Sequence, residues 1–336
     1  MLLCYLIILL INLTLSVLKI YNIVMNNKKI ISVIGGSGFI GSYLVDKLLS
    51  QGYFVKIISR NATSKKQFFP SAKLGQFQLV NCNICKSGEL KKALFGSDYV
   101  INLVGILESR ADNSFNDVHI KGAKNLIEAC SFNDISKLIQ VSAIGVEQNK
   151  LSKYAITKFK AEKIIQSYKN SLIVRPSIVC GDEDNFINFF AKYAKISPFL
   201  PLIGKGETKF QPVLVTDVVE IIFRCLNFPF KKGQIIEIGG DDILSFKEIL
   251  SFIVKELRIK RMLVNVPFSL ASKLAFFLEK FPFSILTRDQ VEMLKTDNIM
   301  NKRKSFKKFF KYEPLSFYIF AKRQLENFKK DGGHIN

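Results

Sequence analysis

A cluster of glycines directly after an apolar segment is the feature that most restricts the fold of this chain. Residues 30–34 read Ile-Ile-Ser-Val-Ile, and glycines follow at positions 35, 36, 38 and 41. A short apolar run of this kind indicates a buried strand of a parallel sheet, and residues 39–51 carry apolar side chains at helical spacing. The glycines therefore lie in a tight turn between a strand and a helix.

This turn predicts a dinucleotide site. In the pattern Gly35-x-x-Gly38-x-x-Gly41, the first glycine permits unusual dihedral angles, the second lets a pyrophosphate touch the backbone, and the third lets the helix pack on the sheet. Phe39 and Ile40 begin the helix, whose free N–H groups and positive dipole end face the phosphates. An ordinary glycine-rich turn is the alternative, which the flanking strand and helix disfavour.

The end of the second strand bears on the choice of cofactor. Residues 54–61 form this strand, and Ser59 and Arg60 stand where an acidic residue would bind the ribose 2′-hydroxyl of NAD(H). Arg60 can instead pair with a 2′-phosphate, so the sequence favours NADP(H) over NAD(H). If Arg60, Lys65 and Lys66 are only a solvated loop, the cofactor preference stays open.

Strands and helices alternate along the rest of the first half of the chain. Further strands are predicted at 77–84, 99–107, 137–144 and 171–179, with helices such as 122–130 between them. This alternation predicts an α/β protein with a Rossmann-like, doubly wound parallel sheet and a smaller α/β C-terminal region for a substrate or partner.

The expected organisation follows from these segments. It comprises an apolar leader at 1–24, an NAD(P)-binding Rossmann domain at 25–181, a smaller C-terminal region at 182–330 interleaved with the first, and a tail at 331–336.

Tyr154 and Lys158 carry the clearest chemical signal. Four residues apart on a helix, they share one face, so the ammonium can lower the pKa of the phenol and help to hold the nicotinamide ribose. The phenol is then a proton donor or acceptor. Ser142, at the end of the fifth strand, can hydrogen-bond the reacting oxygen, which makes these three residues the predicted catalytic group.

The glycine turn, Ser142 and the Tyr-x-x-x-Lys pair occur in the order found in the short-chain dehydrogenase/reductase superfamily, and the chain resembles its extended or atypical, NAD-dependent epimerase/dehydratase-like branch. It is most similar to the nucleotide-binding accessory subunits of respiratory complex I and their bacterial relatives. The segments that carry this resemblance are VINLVGILE (100–108), VHIKGAKNL (118–126), VSAIGV (141–146), VRPSIVCGDEDNFINFFA (174–191), FQPVLVTDVVEII (210–222) and LTRDQVEMLKTDN (286–298).

The resemblance implies a tightly held NADPH with little or no turnover, complex I subunits as partners, and a peripheral position on the cytoplasmic face of the inner membrane. The further cofactor contacts that we expect are Asn83, Ile84, Val104, Gly105 and Pro176. Asn83 stands where many members have an aspartate near the adenine, and His119 where sugar-modifying members carry asparagine.

A working enzyme is one alternative interpretation, and a redox-sensing or assembly factor that uses the nucleotide as a signal is another. Because Ser142, Tyr154 and Lys158 are all present, the chain could act as a reductase, epimerase or dehydratase on a nucleotide sugar or on a quinone-type or isoprenoid carbonyl.

Charge and cysteine content restrict the partners. Lys and Arg outnumber Asp and Glu by 49 to 28, which suggests an acidic partner such as an anionic membrane surface. No long basic block with interleaved aromatics predicts nucleic-acid binding. Cys82 and Cys85 have the spacing of a metal pair, but they lie in a strand-like run with side chains on opposite faces, so no metal is expected.

Two apolar segments raise the question of membrane contact. Residues 1–18 hold no charge and would form a membrane anchor if Met1 is the true start, whereas Met25 as the start would make the leader a mis-assigned segment. Residues 268–283, which bear Lys273 and Lys280, form an amphipathic segment that either lies on a membrane or partner or covers the core.

Overall fold

The computed structural model describes residues 29–64, 69–109, 113–279 and 286–329. The leader, the Lys65–Lys66 pair, the end of the amphipathic segment with Lys280, and the tail at 331–336 lie outside the described residues. Within the described ranges, every helix is too short or too polar to cross a membrane.

The strands of the described part are numbered in chain order. They are β1 Ile30–Ile34, β2 Phe54–Ser59, β3 Phe77–Asn81, β4 Tyr99–Asn102, β5 Lys137–Val141, β6 Ser171–Pro176, β7 Val179–Cys180, β8 Phe199–Ile203, β9 Lys209–Phe210, β10 Val213–Leu214, β11 Gln234–Ile238, β12 Leu244–Ser245 and β13 Met262–Val266.

The helices of the same part are numbered likewise. They are α1 Phe39–Ser50, α2 Ser87–Ala93, α3 Gly122–Phe132, α4 Lys153–Ile165, α5 Ile187–Ile196, α6 Val215–Asn227, α7 Phe246–Glu256, α8 Phe268–Leu278, α9 Arg288–Met293 and α10 Phe317–Glu326, with a wider helical turn at Asn116–Lys121 running into α3.

Seven of these strands form one central sheet in the order β11-β6-β5-β4-β1-β2-β3, and every neighbouring pair is parallel. The strand order reverses at β1, which pairs with β2 on one side and with β4 on the other. Parallel neighbours need crossover connections, and helices supply them on both faces of the sheet. The predicted Rossmann-like, doubly wound α/β fold is therefore confirmed.

Two apolar cores lie on the two faces of this sheet. On one face, α1 and α6 bury side chains such as Leu44, Leu48 and Ile221. On the other face, α2, α3 and α4 bury side chains such as Leu126 and Ile165. The strands between them are apolar on both sides, as expected for a sheet that is covered on both faces.

The C-terminal region has its own core. Helices α5, α7 and α10 pack with β8 around aromatic side chains such as Phe246 and Phe317. Beside it, α8 and α9 pack together through Ala271, Ala275 and Val291. Strand β11 returns from this half of the chain to the edge of the central sheet, where it pairs with β6.

Five predicted strands end too late: β2, β3, β4, β5 and β6 end at Ser59, Asn81, Asn102, Val141 and Pro176, and not at 61, 84, 107, 144 and 179. Strand β3 ends at Asn81, so Cys82–Cys85 lies in a turn and not in a strand. The Asn83 carboxamide oxygen accepts a hydrogen bond from the Cys85 N–H at 3.0 Å, and the Asn83 carbonyl accepts one from the Lys86 N–H at 2.9 Å. An asparagine side chain that bonds the backbone two residues on favours a turn over strand pairing. In the described ranges, no group of three His, Cys, Asp or Glu side chains could hold a metal ion.

Candidate functional site

The glycine turn lies at the carboxyl end of β1, where the strand order reverses. Gly35 adopts a φ of +82°, which only glycine adopts readily, and its N–H donates to the Ile58 carbonyl at 2.7 Å. A Cβ on Gly41 would lie 2.3 Å from the Gly35 oxygen and 2.7 Å from the Gly36 Cα, so α1 packs directly on the turn. Ligands of open α/β sheets bind in the crevice at such a reversal point.

The first turn of α1 is open toward an anion. Gly38 is its N-cap residue, no side chain caps it, and its first turn holds no acidic residue. Phe39 and Ile40 begin the helix. The Phe39 ring packs against Gly181, since a Cβ added to Gly181 would lie 3.1 Å from the ring. The backbone N–H groups of this turn are thus available for phosphate oxygens.

Ser59 and Arg60 lie beside the glycine turn. The Ser37 hydroxyl donates to the Ser59 hydroxyl at 2.9 Å, which ties the end of β2 to the turn after β1. Arg60 follows directly and is exposed, with one guanidinium N–H donating to the Asn113 side-chain oxygen at 2.7 Å. No acidic residue occurs anywhere in residues 54–64.

The structure gives Asn83 and Ile84 local structural contacts. Besides accepting from Cys85, Asn83 donates its backbone N–H to a Glu89 carboxylate oxygen at 3.2 Å, which fixes the turn before α2. Ile84 is buried in the core beneath α2 and α3. It packs against Gly122, since a Cβ added to Gly122 would lie 3.4 Å from the Ile84 side chain.

The loop after β4 contacts both the glycine turn and Lys158. A Cβ on Gly35 would lie 3.3 Å from a Val104 methyl, and a Cβ on Gly105 would lie 2.9 Å from the Lys158 Nζ. Gly105 therefore leaves room for the lysine side chain. Pro176 is more remote: it is buried at the end of β6, and its carbonyl accepts from the Ile144 N–H at 3.0 Å.

Ser142 and Lys158 line one small polar cavity, and Tyr154 lies beside it. Ser142 follows the last residue of β5, and α4 carries the other two side chains. The Lys158 Nζ donates to the Val141 carbonyl at 3.4 Å and lies 5.8 Å from the centre of the Tyr154 ring. The Ser142 hydroxyl is buried without a hydrogen-bond partner among the described residues. The cavity, of about 10 Å³, is also lined by Asn102, His119, Gln140 and Glu162.

A buried hydroxyl without a partner costs free energy, which a ligand that bonds it would recover. The Ser142 hydroxyl and the Lys158 ammonium in this cavity, and the Tyr154 phenol beside it, are chemically suited to bond the ribose and carboxamide of a nicotinamide nucleotide.

Burial dominates the proton affinities of Lys158 and Tyr154. It lowers the pKa of Lys158 to about 8, although the charge of Glu162 acts in the opposite direction. Burial raises the pKa of Tyr154 above its ordinary value, and the charges of Asp289 and Glu162 add to the increase. Burial therefore opposes the lowering of the Tyr154 pKa that we expected from Lys158.

Aromatic side chains cover the Tyr154 ring on two sides. His119 meets it edge to face at 5.7 Å, and Phe115 stacks on His119 at 5.6 Å between ring centres. Because Thr157 donates its hydroxyl proton to the Lys153 carbonyl, it accepts from His119 Nδ1–H at 2.9 Å. Burial, with the charge of Lys158, lowers the pKa of His119 to about 3, so its ring is neutral.

A buried ion cluster that the sequence analysis missed lies behind α4. Arg175 is fully buried and binds Glu162 through two hydrogen bonds, Nε–Oε1 at 2.9 Å and Nη2–Oε2 at 2.7 Å. Its other terminal nitrogen lies 3.0 Å from Glu147 and 3.2 Å from Glu237. Glu162 stands one helical turn after Lys158, so the cluster fixes the helix that carries the site. The only sequence signal was an arginine within an apolar strand.

The model of the family described as "NAD dependent epimerase/dehydratase family" matches residues 31–239. NADH dehydrogenase [ubiquinone] 1 alpha subcomplex subunit 9, mitochondrial, of Arabidopsis thaliana is 30% identical over 283 residues, which are 80% of this chain and 70% of that protein. The NADH-ubiquinone oxidoreductase 40 kDa subunit, mitochondrial, of Neurospora crassa is 27% identical over 89% of this chain and 80% of its own length.

Among solved structures, dTDP-glucose 4,6-dehydratase of Bacillus anthracis in complex with NAD superimposes with a TM-score of 0.68 at 19% identity, over 90% of this chain and 97% of that one. The likeness shows that the two chains share a fold, which in that protein is in complex with NAD.

Proposed function

The chain belongs to the NAD dependent epimerase/dehydratase family, and from that membership we propose that it is an NADP(H)-binding accessory subunit of NADH:quinone oxidoreductase, respiratory complex I, with little or no turnover of its own. The observation that carries the proposal is the similarity to two proteins named as subunits of that complex, which extends over 80% and 89% of the chain. This extent includes the C-terminal region as well as the nucleotide-binding sheet.

NADP(H) is proposed over NAD(H) because of Arg60. Its guanidinium follows the end of β2, is exposed, and has no acidic side chain beside it in residues 54–64. A 2′-phosphate would accept charge-assisted hydrogen bonds there, whereas NAD(H) would gain nothing from the arginine.

Binding can be measured by titrating the purified protein with NADPH and NADH while following the nicotinamide fluorescence. We expect the wild type to prefer NADPH, and Arg60→Ala to weaken NADPH about tenfold while leaving NADH within twofold. Lys92→Ala, which removes a charge from the end of α2, is the matched control and should change neither affinity. Equal effects of Arg60→Ala on both nucleotides would remove the argument for NADP(H).

Low turnover is proposed from the surroundings of Tyr154. Its ring lies in an apolar cluster with Phe115 and Val146, against which Ile106 and Met293 also pack. Burial raises the pKa of the phenol, so the phenolate is disfavoured as a base. Ser142 and Lys158 still bind the nicotinamide end, so the nucleotide is held while its reaction partner is excluded.

Helix α8 supplies a surface for attachment. Leu270, Leu274 and Phe277 are exposed at positions i, i+4 and i+7, so they form one apolar stripe on the helix. Lys273 is exposed on the same helix, and the Arg288 guanidinium lies 5.0 Å from the centre of the Phe276 ring. An apolar stripe with basic neighbours suits an anionic membrane surface next to the complex. We propose a peripheral position there, on the cytoplasmic face in a bacterial cell.

The experiment that tests the proposal is a native gel of mildly solubilised host membranes, in which the tagged protein is compared with NADH dehydrogenase activity. We expect co-migration with the large complex, and reduced co-migration for Leu274→Glu. Lys255→Glu, a change on the exposed side of α7, is the control and should co-migrate like the wild type. Migration only as a small free species would contradict the proposal.

Catalysis is the second candidate, and one observation favours it. The unpartnered Ser142 hydroxyl and the Lys158 ammonium face one cavity, as a site that binds a carbonyl oxygen requires. Bound nicotinamide would supply or accept the hydride, Ser142 would hold the substrate oxygen, and Tyr154 would exchange its proton. A screen of nucleotide sugars and quinone-type or isoprenoid carbonyls that detected NADPH oxidation, abolished by Tyr154→Phe, would establish this function in place of the first.

A further inference from the structure

The short helix α9 contacts the beginning of the helix that carries Tyr154 and Lys158. The Asp289 carboxylate accepts three hydrogen bonds there. They come from the Ser152 hydroxyl at 2.8 Å, the Lys153 N–H at 2.5 Å and the Tyr154 N–H at 3.2 Å. Asp289 is about 135 residues from these donors in sequence, so the contact joins two distant parts of the chain.

These bonds satisfy N–H groups that a helix cannot satisfy by itself. The first turn of α4 holds no acidic residue of its own, and Ser152 is its N-cap, with its side chain accepting from the Ala155 N–H at 3.1 Å. Asp289 therefore places a negative charge at the positive dipole end of α4, where a carboxylate is stabilising.

Two further contacts fix the loop that leads from Ser142 to α4. The Asn149 side chain donates to the Glu292 carbonyl at 2.8 Å and accepts from the Ser152 N–H at 2.9 Å. Asn298 donates its side-chain N–H to the Ile144 carbonyl at 3.0 Å. The segment 289–298 thus touches the loop after Ser142, the loop before α4, and the first turn of α4.

We infer that Asp289 is a positioning residue for the nicotinamide half of the nucleotide site, an inference that rests on the proposed nucleotide binding. The three hydrogen bonds of Asp289 go to Ser152, Lys153 and Tyr154, and none of them goes to the glycine turn or to Arg60, which are the proposed contacts of the other half of the dinucleotide. It acts through α4 on Tyr154 and Lys158, the two side chains that face the nicotinamide ribose. Removing the carboxylate frees the first turn of α4 and displaces these side chains without touching the phosphate turn.

This arrangement predicts a selective loss of affinity. The test compares wild type with Asp289→Asn, which keeps the shape and removes the charge, in titrations with NADPH and with adenosine 2′,5′-bisphosphate. Adenosine 2′,5′-bisphosphate contains only the adenosine half of NADPH. If the wild type prefers NADH, NADH and ADP take the places of these two ligands. We expect NADPH binding to weaken at least tenfold and binding of the adenosine compound to stay within twofold.

The matched control is Glu279→Gln. Glu279 accepts hydrogen bonds from Arg288, the first residue of α9, from its backbone N–H at 2.6 Å and its Nε at 2.9 Å; Arg288 is exposed and Glu279 is half-buried. The control variant removes an acidic charge next to α9 without touching α4, so both affinities should equal those of the wild type. If Asp289→Asn does not fold, Asp289→Glu keeps the charge, moves it by one methylene, and allows the same comparison.

The outcomes separate the two levels of the argument. Wild-type protein that binds neither NADPH nor NADH overturns the proposed nucleotide binding and this inference with it. Wild-type binding with unchanged NADPH affinity in the Asp289 variant overturns the inference alone. Equal weakening of both ligands also overturns it, because Asp289 would then stabilise the whole fold and not one half of the site.

Discussion

Replacing Gly41 by alanine tests the packing of α1 on the phosphate turn. The added Cβ would lie 2.3 Å from the Gly35 oxygen, and ordinary contact begins near 3.4 Å, so α1 must move away from the turn by 3.4 − 2.3 = 1.1 Å. The obstructing atoms are backbone and cannot rotate away. Overpacking of this kind costs about 3 kcal/mol, the upper part of its usual range. With an unfolding entropy of about 2.1 cal/mol/K per residue, Tm should fall by about 4 °C.

The same movement opens the turn that faces the pyrophosphate. Loss of one or two hydrogen bonds to a charged group costs about 2–3 kcal/mol, so the Kd for NADPH should rise about 30-fold or more. Differential scanning calorimetry of the free protein and a fluorescence titration with NADPH measure the two effects on the same sample.

Gly88→Ala is the matched control for this substitution. Gly88 lies in α2, has a helical backbone, and has no heavy atom within 4 Å of the position of an added Cβ. Alanine in a helix is favoured over glycine by up to about 1 kcal/mol, so this variant should be slightly more stable and bind NADPH normally. The reasoning is refuted if Gly41→Ala matches Gly88→Ala in Tm and binds NADPH within threefold of the wild type.

Three further predictions concern buried ionisable groups. Because burial lowers the pKa of Lys158 to about 8, the charged lysine destabilises the fold below pH 8, and Lys158→Met should be up to about 3 kcal/mol more stable at pH 7. Urea unfolding should show this gain disappearing between pH 8 and 10.5, while NADPH binding is weakened throughout. Arg175→Met leaves the Glu162 carboxylate buried without its partner and should lower the free energy of unfolding in urea by about 3–5 kcal/mol. As a control, Lys169→Met removes an exposed ion pair with Asp134 and should lower it by under about 1 kcal/mol. The pKa of His119 is lowered to about 3, so His119 stays neutral in the folded protein while the unfolded chain gains a proton below pH 6.5. The free energy of unfolding of the wild type should therefore fall by about 2 kcal/mol between pH 6.5 and 5, and that of His119→Gln should not. Equal pH slopes for the two proteins would contradict this.

The central sheet could be predicted because its determinants are local. Strand β1 is a mostly apolar run; Gly35 follows it with a φ of +82°, and Gly41 follows at a position that leaves no room for a side chain. Alternating apolar segments then specify parallel strands with crossover helices. The end of β3 was misplaced because Val80 to Cys85 is mostly apolar, and the turn depends on one Asn83 side-chain bond that periodicity does not reveal.

Parts of the site had no local signal. Tyr154 and Lys158 are recognisable because they are four residues apart on one helix. Arg175 and Glu237, which form an ion pair, are 62 positions apart in the sequence. Asp289, which caps α4, is about 135 positions from the residues that it bonds. Such contacts depend on how helices and strands pack, which a single sequence does not specify. The raised pKa of Tyr154 was missed for the same reason, since burial is a property of the packed chain.

The energetics of Lys158 bear on how an intact Ser-Tyr-Lys group would persist in the low-turnover subunit that we propose. Burying the charged lysine costs up to about 3 kcal/mol at pH 7, and the unpartnered Ser142 hydroxyl adds to that cost. A nucleotide present at a hundred times its Kd stabilises the folded state by about 2.7 kcal/mol, which is of the same size. The bound nucleotide therefore offsets the penalty that the site imposes on the free chain. Replacing Lys158 would remove this penalty and the bound nucleotide together, so on the proposed function the two effects nearly cancel, and Lys158 is retained for nucleotide binding and not for stability.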